Sequence, residues 1–350
     1  MKRTAIFLSL LLALCAAVNS NTFAQDATFS QNFSNPLSLN PAYAGSLGCS
    51  RFVADYRNEF PLASSYDKNN FFSSCNNDVT YSASYDQYVD KLAGGLGLVF
   101  TSNNELNDNT YQKYNYKQNW INGIYAFNLR INDNFHIRPA INMGVGQNYF
   151  IIVDNGPPPG VIFSYPSPPI SYPNTVSKAI NYFNIGTGVL FACKNFISGI
   201  ALDHINKPNI GLFSTSKLPM KLTIHSSLDI KITENTNLTP GIIFQEQQFG
   251  NPDVNGFILA SLMLKIWYIK LGFEFTNRTD NISGGNSYLI GMLGFVNKWM
   301  SIGYSYDYII PDSNNESPNK GKGGIHEITA VFKFNCKNKE KYGLTHLYGF

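Results

Sequence analysis

Few side chains in this sequence have the types and spacing that catalysis needs. The five histidines have neither the spacing of metal ligands nor a neighbouring serine or cysteine that could act as a nucleophile. Asp203 and His204 come nearest to a catalytic pair, but they lie at a predicted strand end before Pro208, where a structural polar cap is the commoner role. The sequence therefore predicts a protein that is not an enzyme and that has no cofactor and no metal site.

The first residues have the pattern of an export signal. Lys2 and Arg3 precede an apolar run, and small residues lie before Gln25, so residues 1–24 are predicted to be a cleaved signal peptide. Export leads to an oxidising compartment, and Cys49 and Cys75 flank the first predicted strand. We expect a disulfide between them, provided that the intervening loop folds back, because the strand alone could hold them too far apart.

The composition favours a barrel in a membrane. Charged residues make up only 14% of the 350 residues and aromatic residues another 14%, whereas about a quarter of a soluble domain is charged. No apolar run after the signal peptide reaches the roughly 18 residues of a membrane helix, so the exported chain is either soluble or a barrel. The net charge of +3 is small and dispersed, which argues against nucleic acid as a partner.

Alternating apolar and polar residues predict strands throughout the chain. In residues 220–232 apolar side chains oppose Lys221, Thr223, His225 and Asp229 at every second position, a period that only a strand has. A soluble two-sheet sandwich is the alternative fold, but aromatic residues crowd the strand ends as in an interfacial girdle. We predict an all-β, antiparallel outer-membrane β-barrel, one domain over residues 25–350, with fourteen strands near residues 51–60, 78–88, 94–102, 113–131, 135–149, 179–193, 196–206, 220–232, 237–249, 255–266, 267–276, 286–297, 298–310 and 325–336.

The connections alternate between short turns and long polar loops. This is typical of membrane barrels with short periplasmic turns and long outer loops, and it places both termini in the periplasm. The longest connection, about residues 150–177, is stiffened by prolines and is either a lid, plug or docking surface or simply a surface loop. Its candidate partner-facing residues are Pro157, Pro158, Pro159, Tyr165, Pro168 and Pro169.

Residues 32–45 form the most unusual segment of the chain. Two Asn-Pro steps push the residue before each proline out of the helical region. We therefore expect a fixed, extended and turned plug or collar rather than a helix or a ladder strand. The plainer alternative is an N-terminal loop that orders the first turn of a β domain.

Residues 36–45, with the sequence Pro-Leu-Ser-Leu-Asn-Pro-Ala-Tyr-Ala-Gly, resemble the N-terminal signature of the PorP/SprF family of type IX secretion outer-membrane proteins. Further similar segments follow in order at residues 56–61, 95–100, 183–208, 304–308 and 326–334. The positions that carry the signature are Pro36, Leu37, Asn40, Pro41, Ala42, Ala44, Gly45 and Arg57. The segment 25–50 would then be the signature region and 337–350 a C-terminal tail.

The resemblance implies a non-enzymatic component of the type IX secretion system in the cell outer membrane. Its expected partners are outer-membrane lipid, other secretion components and a secreted surface protein such as an adhesin, with a link to gliding motility. The alternative is an outer-membrane porin or transporter for small solutes. Charges of both signs are predicted to face the lumen, which favours pairing across a blocked pore over an open channel.

Overall fold

The structure is a computed structural model that describes residues 26, 28–59, 74–109, 112–154, 174–211, 215–247, 255–279, 286–310 and 324–336. These residues form a closed antiparallel β-barrel of fourteen strands, as predicted. The predicted signal peptide and the C-terminal tail lie outside the described residues.

Each strand pairs with its neighbours along the chain, and two strands are interrupted once, at Asn128 and at Asp229. The strands are β1 Ser50–Glu59, β2 Ser74–Val89, β3 Gly94–Asn109, β4 Gln112–Phe127 with Leu129–Arg130, β5 Phe135–Asp154, β6 Asn174–Cys193, β7 Phe196–Asp203, β8 Lys221–Leu228 with Ile230–Thr233, β9 Thr236–Gln247, β10 Asn255–Ile266, β11 Ile269–Thr279, β12 Asn286–Val296, β13 Met300–Ile310 and β14 Ile325–Phe334.

The barrel closes between its first and last strands. β1 pairs with β14 from Ser50 opposite Phe334 to Glu59 opposite Ile325, so no edge remains at this seam. In the described part of the chain no helix is long and apolar enough to cross a membrane.

Side chains alternate across the wall as the sequence predicts. On β1, Phe52 is 38% exposed on the outside, whereas Val53, Asp55 and Arg57 are buried on the inside. An apolar outer face and a polar inner face are what a barrel in lipid needs, because only the outer face meets hydrocarbon.

Several strands are longer than the hydrophobic pattern indicates, including β2 and β3, which begin at Ser74 and end at Asn109 where the pattern predicts residues 78 and 102. β5 continues to Asp154 and β6 begins at Asn174, whereas the pattern predicts strand ends near residues 149 and 179. The polar residues Gln147 and Asn181 interrupt the apolar outward face, yet backbone pairing continues beyond them. Hydrophobic patterning reports the part of a strand that faces lipid, not its full length.

The predicted disulfide between Cys49 and Cys75 is wrong. Cys49 is bonded to Cys336, with their Cα atoms 4.3 Å apart. Because β1 and β14 are paired, Cys49 just before β1 and Cys336 just after β14 meet at the turn-bearing end of the barrel. Cys75 lies near the opposite end of β2, where it pairs with Asp108 of β3. Closure of the barrel, and not nearness in sequence, therefore determines which two cysteines form the disulfide.

Residues 28–48 lie inside the barrel, and we call this segment the plug. Nearly all of its side chains are buried. The sequence led us to expect an extended and turned segment rather than a helix, but the segment contains a single helical turn α1, Pro36–Leu39, and a 3-10 turn, Pro41–Tyr43. Asn35 and Asn40 have non-helical backbone angles, as expected for a residue before proline. Pro36 and Pro41 then occupy the first position of each helical turn, where proline is favoured.

Candidate functional site

The plug is held near the turn-bearing end of the lumen by contacts around Asn40, which we call the lower anchor. The side-chain amide of Asn40 donates at 3.3 Å to the backbone oxygens of Val189 on β6 and Ile200 on β7. Its side-chain oxygen accepts a hydrogen bond from the backbone N–H of Ala42 at 2.9 Å, which caps the 3-10 turn. One side chain thus shapes the plug and joins it to the wall.

His225 of β8 is a second wall contact of the lower anchor. Its Nε2 lies 3.2 Å from the amide nitrogen of Asn40, and its Nδ1 lies 3.2 Å from the hydroxyl oxygen of Tyr43. The imidazole is buried, as is Tyr43. The ring therefore connects two plug residues to the same strand.

Two charged residues of the wall bind plug backbone in the lower anchor. Arg138 of β5 donates to the carbonyl oxygens of Ala42 and Ala44. The carboxylate of Asp86 on β2 accepts from the N–H of Gly45 at 2.7 Å. Charge-assisted hydrogen bonds of this kind are stronger than neutral ones. Lumen-facing charges thus hold the plug.

Arg51 completes the environment of Asp86. Its Nε donates to the Asp86 carboxylate at 2.7 Å, and both side chains are buried. The same guanidinium also donates to the carbonyl oxygen of Tyr43 at 3.3 Å. The buried charge of Asp86 is therefore paired as well as hydrogen-bonded, which such a charge requires.

Glycines in the wall let the plug approach closely. A Cβ added to Gly95 of β3 would lie 1.9 Å from the carbonyl oxygen of Ala44, and one on Gly188 of β6 would lie 2.3 Å from the side-chain oxygen of Asn40. In the plug itself, Gly45 has a φ of +67°, a left-handed conformation that favours glycine. Sequence reasoning missed the role of the wall glycines, although the lumen-facing glycines of β3 were a usable signal.

The other end of the plug is held by a buried network that we call the upper anchor. Glu327 of β14 accepts the backbone N–H groups of Ser30 and Gln31, both at 2.7 Å. The Ser30 hydroxyl donates to Asp307 of β13 at 2.5 Å. Arg57 of β1 pairs with Glu327 at 3.1 Å and with Asp307 at 3.4 Å, and all three charged side chains are fully buried. Lumen-facing charges of both signs thus pair here, but along the wall between the neighbouring strands β1, β13 and β14 and not across the lumen as the sequence led us to expect.

Asp26 adds a third group of contacts, just before the plug. Its carboxylate lies 2.7 Å from His204 Nε2 and 2.8 Å from the Lys221 ammonium, and Lys221 also pairs with Asp203 at 3.5 Å. Burial favours the neutral acid, but His204 and Lys221 outweigh it and hold the pKa of Asp26 well below its ordinary value. Asp203 and His204, the nearest approach to a catalytic pair in the sequence, thus belong to a charged cluster around the plug.

A small cavity of about 70 Å³ lies beside this cluster. Its lining includes Trp120, Tyr182, Asn142, Leu37 and Lys221. The space is large enough to hold several water molecules.

The predicted site residues fall into three places. Leu37 packs against the wall at Gly97, and Asn40, Ala42, Ala44 and Gly45 make the lower-anchor contacts. Arg57 lies apart from these residues, in the upper anchor. The remaining signature residues Pro36 and Pro41 begin the two helical turns, whereas the predicted partner-facing residues Pro157, Pro158, Pro159, Tyr165, Pro168 and Pro169 lie outside the described residues.

Comparison with known sequences identifies one family. Residues 21–332 match the family described as type IX secretion system membrane protein PorP/SprF. Among curated proteins no relative is found.

Comparison with solved structures finds outer-membrane barrels. A Pseudomonas aeruginosa FadL homologue has a TM-score of 0.51 at 11% identity, over 84% of this chain and 93% of that one. The CymD monoaromatic hydrocarbon channel has a TM-score of 0.51 at 10% identity, over 89% and 95% of the two chains. A deltaS2S3 mutant of the TodX monoaromatic hydrocarbon channel has 0.50 at 9%, over 88% and 94%. At these identities the likeness establishes the fold alone.

Proposed function

Because the chain belongs to the PorP/SprF family of type IX secretion system membrane proteins, we propose that it supports the export or cell-surface attachment of secreted proteins, such as the adhesins used in gliding. In this role it is a non-enzymatic component of the outer membrane. Residues 1–24 act as a signal peptide that directs its export and is then cleaved. Its partners are other secretion components and a large secreted protein.

The plug carries this proposal. A segment of the chain's own N-terminal region fills the lumen and is fixed at two levels by buried contacts, at Asn40 to Gly45 and at Ser30 to Gln31. A general porin needs a continuous water-filled path, and the plug occupies that path. For the support of a large partner we propose the surfaces around the barrel and, from the sequence alone, the prolines of the predicted loop at about residues 150–177.

A deletion strain tests the proposal. We expect proteomics of the cell surface and the culture fluid to show one or more secreted proteins that leave the surface in the deletion strain and return when the gene is restored. A matched control restores the gene with Gly291→Ala, since a Cβ at Gly291 meets nothing within 4 Å. Unchanged location of every secreted protein would contradict the proposal.

Transport of a small solute is the second candidate. The cavity beside Trp120 and Tyr182 favours it, as does a fold shared with proteins described as monoaromatic hydrocarbon channels. This reading predicts that the deletion strain loses uptake of a solute while its surface proteins stay in place. It also predicts a large, steady conductance in planar bilayers, whereas we expect the intact protein to show none.

A further inference from the structure

The outer half of β6 lacks a strand neighbour on one side. β5 pairs with β6 over its full length, from Asn174 to Cys193. On the other side β7 pairs only with residues 187–193 of β6. Across the ranges that the structure describes, no strand pairs with residues 174–186 of β6 on that side. The barrel wall is continuous at residues 187–193 of β6, but residues 174–186 extend beyond β7 and form a strand edge on that side.

A turn after β7 ends the ladder at this edge. The N–H of Ile205 donates to the carbonyl of Ile185 at 3.0 Å. The side-chain amide of Asn206 donates to the carbonyl of Phe183 at 2.6 Å and accepts the N–H of Ile185 at 3.1 Å. The side chain of Asn206 thus replaces a peptide group of a neighbouring strand, and it satisfies the edge of β6 as far as Phe183.

These contacts fix which backbone groups face the open side. Alternate residues of an antiparallel strand direct both their N–H and their C=O toward the same neighbour. Phe183 and Ile185 point toward the β7 side, so every second residue above them does the same. The N–H and C=O groups that face the open side belong to Thr175, Ser177, Ala179 and Asn181.

The capped part of the edge borders an apolar outward residue of β6, and the open part borders mostly polar ones. On the outer surface Phe183 and Val145 are apolar and about half exposed, whereas the next outward residues are Asn181 and Gln147, which hydrogen-bond to each other at 2.9 Å. A sheet edge in hydrocarbon must have its backbone groups satisfied, but one in water need not. The change from capped to open therefore coincides with the change from apolar to polar.

Little in this stretch protects it from pairing. Proteins discourage pairing at exposed edges with prolines, bulges and charged side chains. Residues 174–182 contain no proline, and Lys178 is their single charged residue. Nine residues of strand give an edge about 30 Å long.

We propose that this edge of β6 receives an extended segment of the secreted protein, which adds one strand to the sheet. The inference rests on the function proposed above. Another extended chain can match the backbone groups of all four residues at once, and the pairing supplies affinity largely independent of side chains. The added segment is neutral or acidic opposite Lys178, because like charges facing each other across a ladder destabilise it.

A second copy of the protein fits this edge less well. Two barrels in one membrane have the same orientation, so their β6 strands can meet only in parallel, which is the less stable pairing. A segment of a secreted protein is free to pair antiparallel.

Amide hydrogen exchange of the purified full-length protein in detergent tests the edge directly. We expect alternation, with fast exchange at the four residues that face the open side and slow exchange at Val176, Lys178, Ile180 and Tyr182, whose N–H groups face β5. Slow exchange at all eight in the monomer means that the chain covers its own edge. If exchange at all eight amides is slow only in samples that light scattering shows to be dimeric, a second copy of the protein covers the edge. Either result overturns the proposal.

Ala179→Pro tests the edge in cells. It removes one N–H from the open side and leaves the ladder with β5 intact, whereas the control Ala179→Val keeps that N–H. For the secreted protein identified with the deletion strain, we expect surface display to fall about tenfold in Ala179→Pro and to stay unchanged in Ala179→Val. Heat-dependent gel mobility of both variants verifies that the barrels fold.

Two failures can be told apart. If deletion of the gene relocates no secreted protein, the proposed function and this inference both fall. If a protein is relocated, but Ala179→Pro displays it normally and the four amides stay unprotected when it is bound, the inference alone falls.

Discussion

The two anchors of the plug hold it by different physical means. At the lower anchor the plug backbone lies against glycines of the wall, and this close fit around Asn40 and Gly95 adds to the charged contacts that Asp86 and Arg138 make with the plug backbone. At the upper anchor Arg57, Asp307 and Glu327 hold Ser30 and Gln31 through buried acidic and basic side chains. The comparison teaches that close packing against wall glycines adds to charged contacts at the lower anchor, whereas the upper anchor depends mainly on charged contacts, so the two ends should respond to different perturbations.

Replacing Arg57 should have the largest effect. Arg57→Met leaves Asp307 and Glu327 buried without their cation, which costs about 3–5 kcal/mol in comparable buried pairs. We expect hydrogen exchange at Ser30 and Gln31 to accelerate strongly, while Gly45 in the lower anchor stays protected.

Arg130→Met is the matched control. Arg130 pairs with Asp133 at an exposed turn, where such pairs contribute less than about 1 kcal/mol. Equal effects of the two substitutions would show that the upper anchor is not the buried network described.

Gly95→Ala should release the other end. The added methyl would overlap the carbonyl oxygen of Ala44, and we expect a loss of about 3 kcal/mol of local stability, at the upper end of the usual range for overpacking. Exchange should accelerate at Ala42 to Gly45 and not at Ser30. Gly291→Ala is the control, and an effect there as large as at Gly95 would refute the close-approach argument.

Asn40→Ala should have a smaller effect on the same anchor. The substitution removes the cap on Ala42 and the donor to Val189 and Ile200, and the expected loss is about 2 kcal/mol. The control is Asn132→Ala, because Asn132 makes a similar bond to the N–H of Asn134 in an exposed turn. Thermal midpoints from the heat-dependent gel shift would measure both, and indistinguishable midpoints would count against a role of Asn40 in the anchor.

Lowering the pH should have the smallest effect on the plug. The pKa of Asp26 is lower in the folded protein than its unfolded value of about 4, so the stability it contributes is fully present above that pH and is lost as the pH falls below it. The N-terminal end of the plug should therefore loosen first on acidification. Asp26→Asn should remove this pH dependence, as measured by proteolysis of the plug between pH 3 and pH 7. A pH response retained in Asp26→Asn would assign it to another group.

The strands and turns could be predicted from the sequence because lipid imposes a simple rule. Every second residue of a spanning strand meets hydrocarbon, so the pattern around Phe52 or Ile224 is visible without any knowledge of the neighbours. The rule does not apply outside the membrane, which is why β5 continues beyond its predicted end near residue 149 and β6 begins before its predicted start near residue 179.

The contacts of the site could not be predicted in the same way. Asn40 and Gly45 drew attention because proline and glycine constrain the local backbone, but their partners Ile200 and Asp86 are 160 and 41 residues away. The same limit explains the disulfide, since Cys49 and Cys336 are 287 residues apart and meet only because the sheet closes. Local patterns carry no information about such pairs.

The disulfide has a mechanical consequence for the plug. From Cys49 to Cys336 the polypeptide is a covalent ring, and the plug is attached to that ring at Cys49. A pull on the N-terminal end would peel the plug away only as far as this residue, where the load divides between the first and last strands. Residues 26–48 fully extended would reach about 80 Å. A plug withdrawn from the lumen would therefore remain attached to the rim of the barrel at Cys49. It would be a tether long enough to span the lumen.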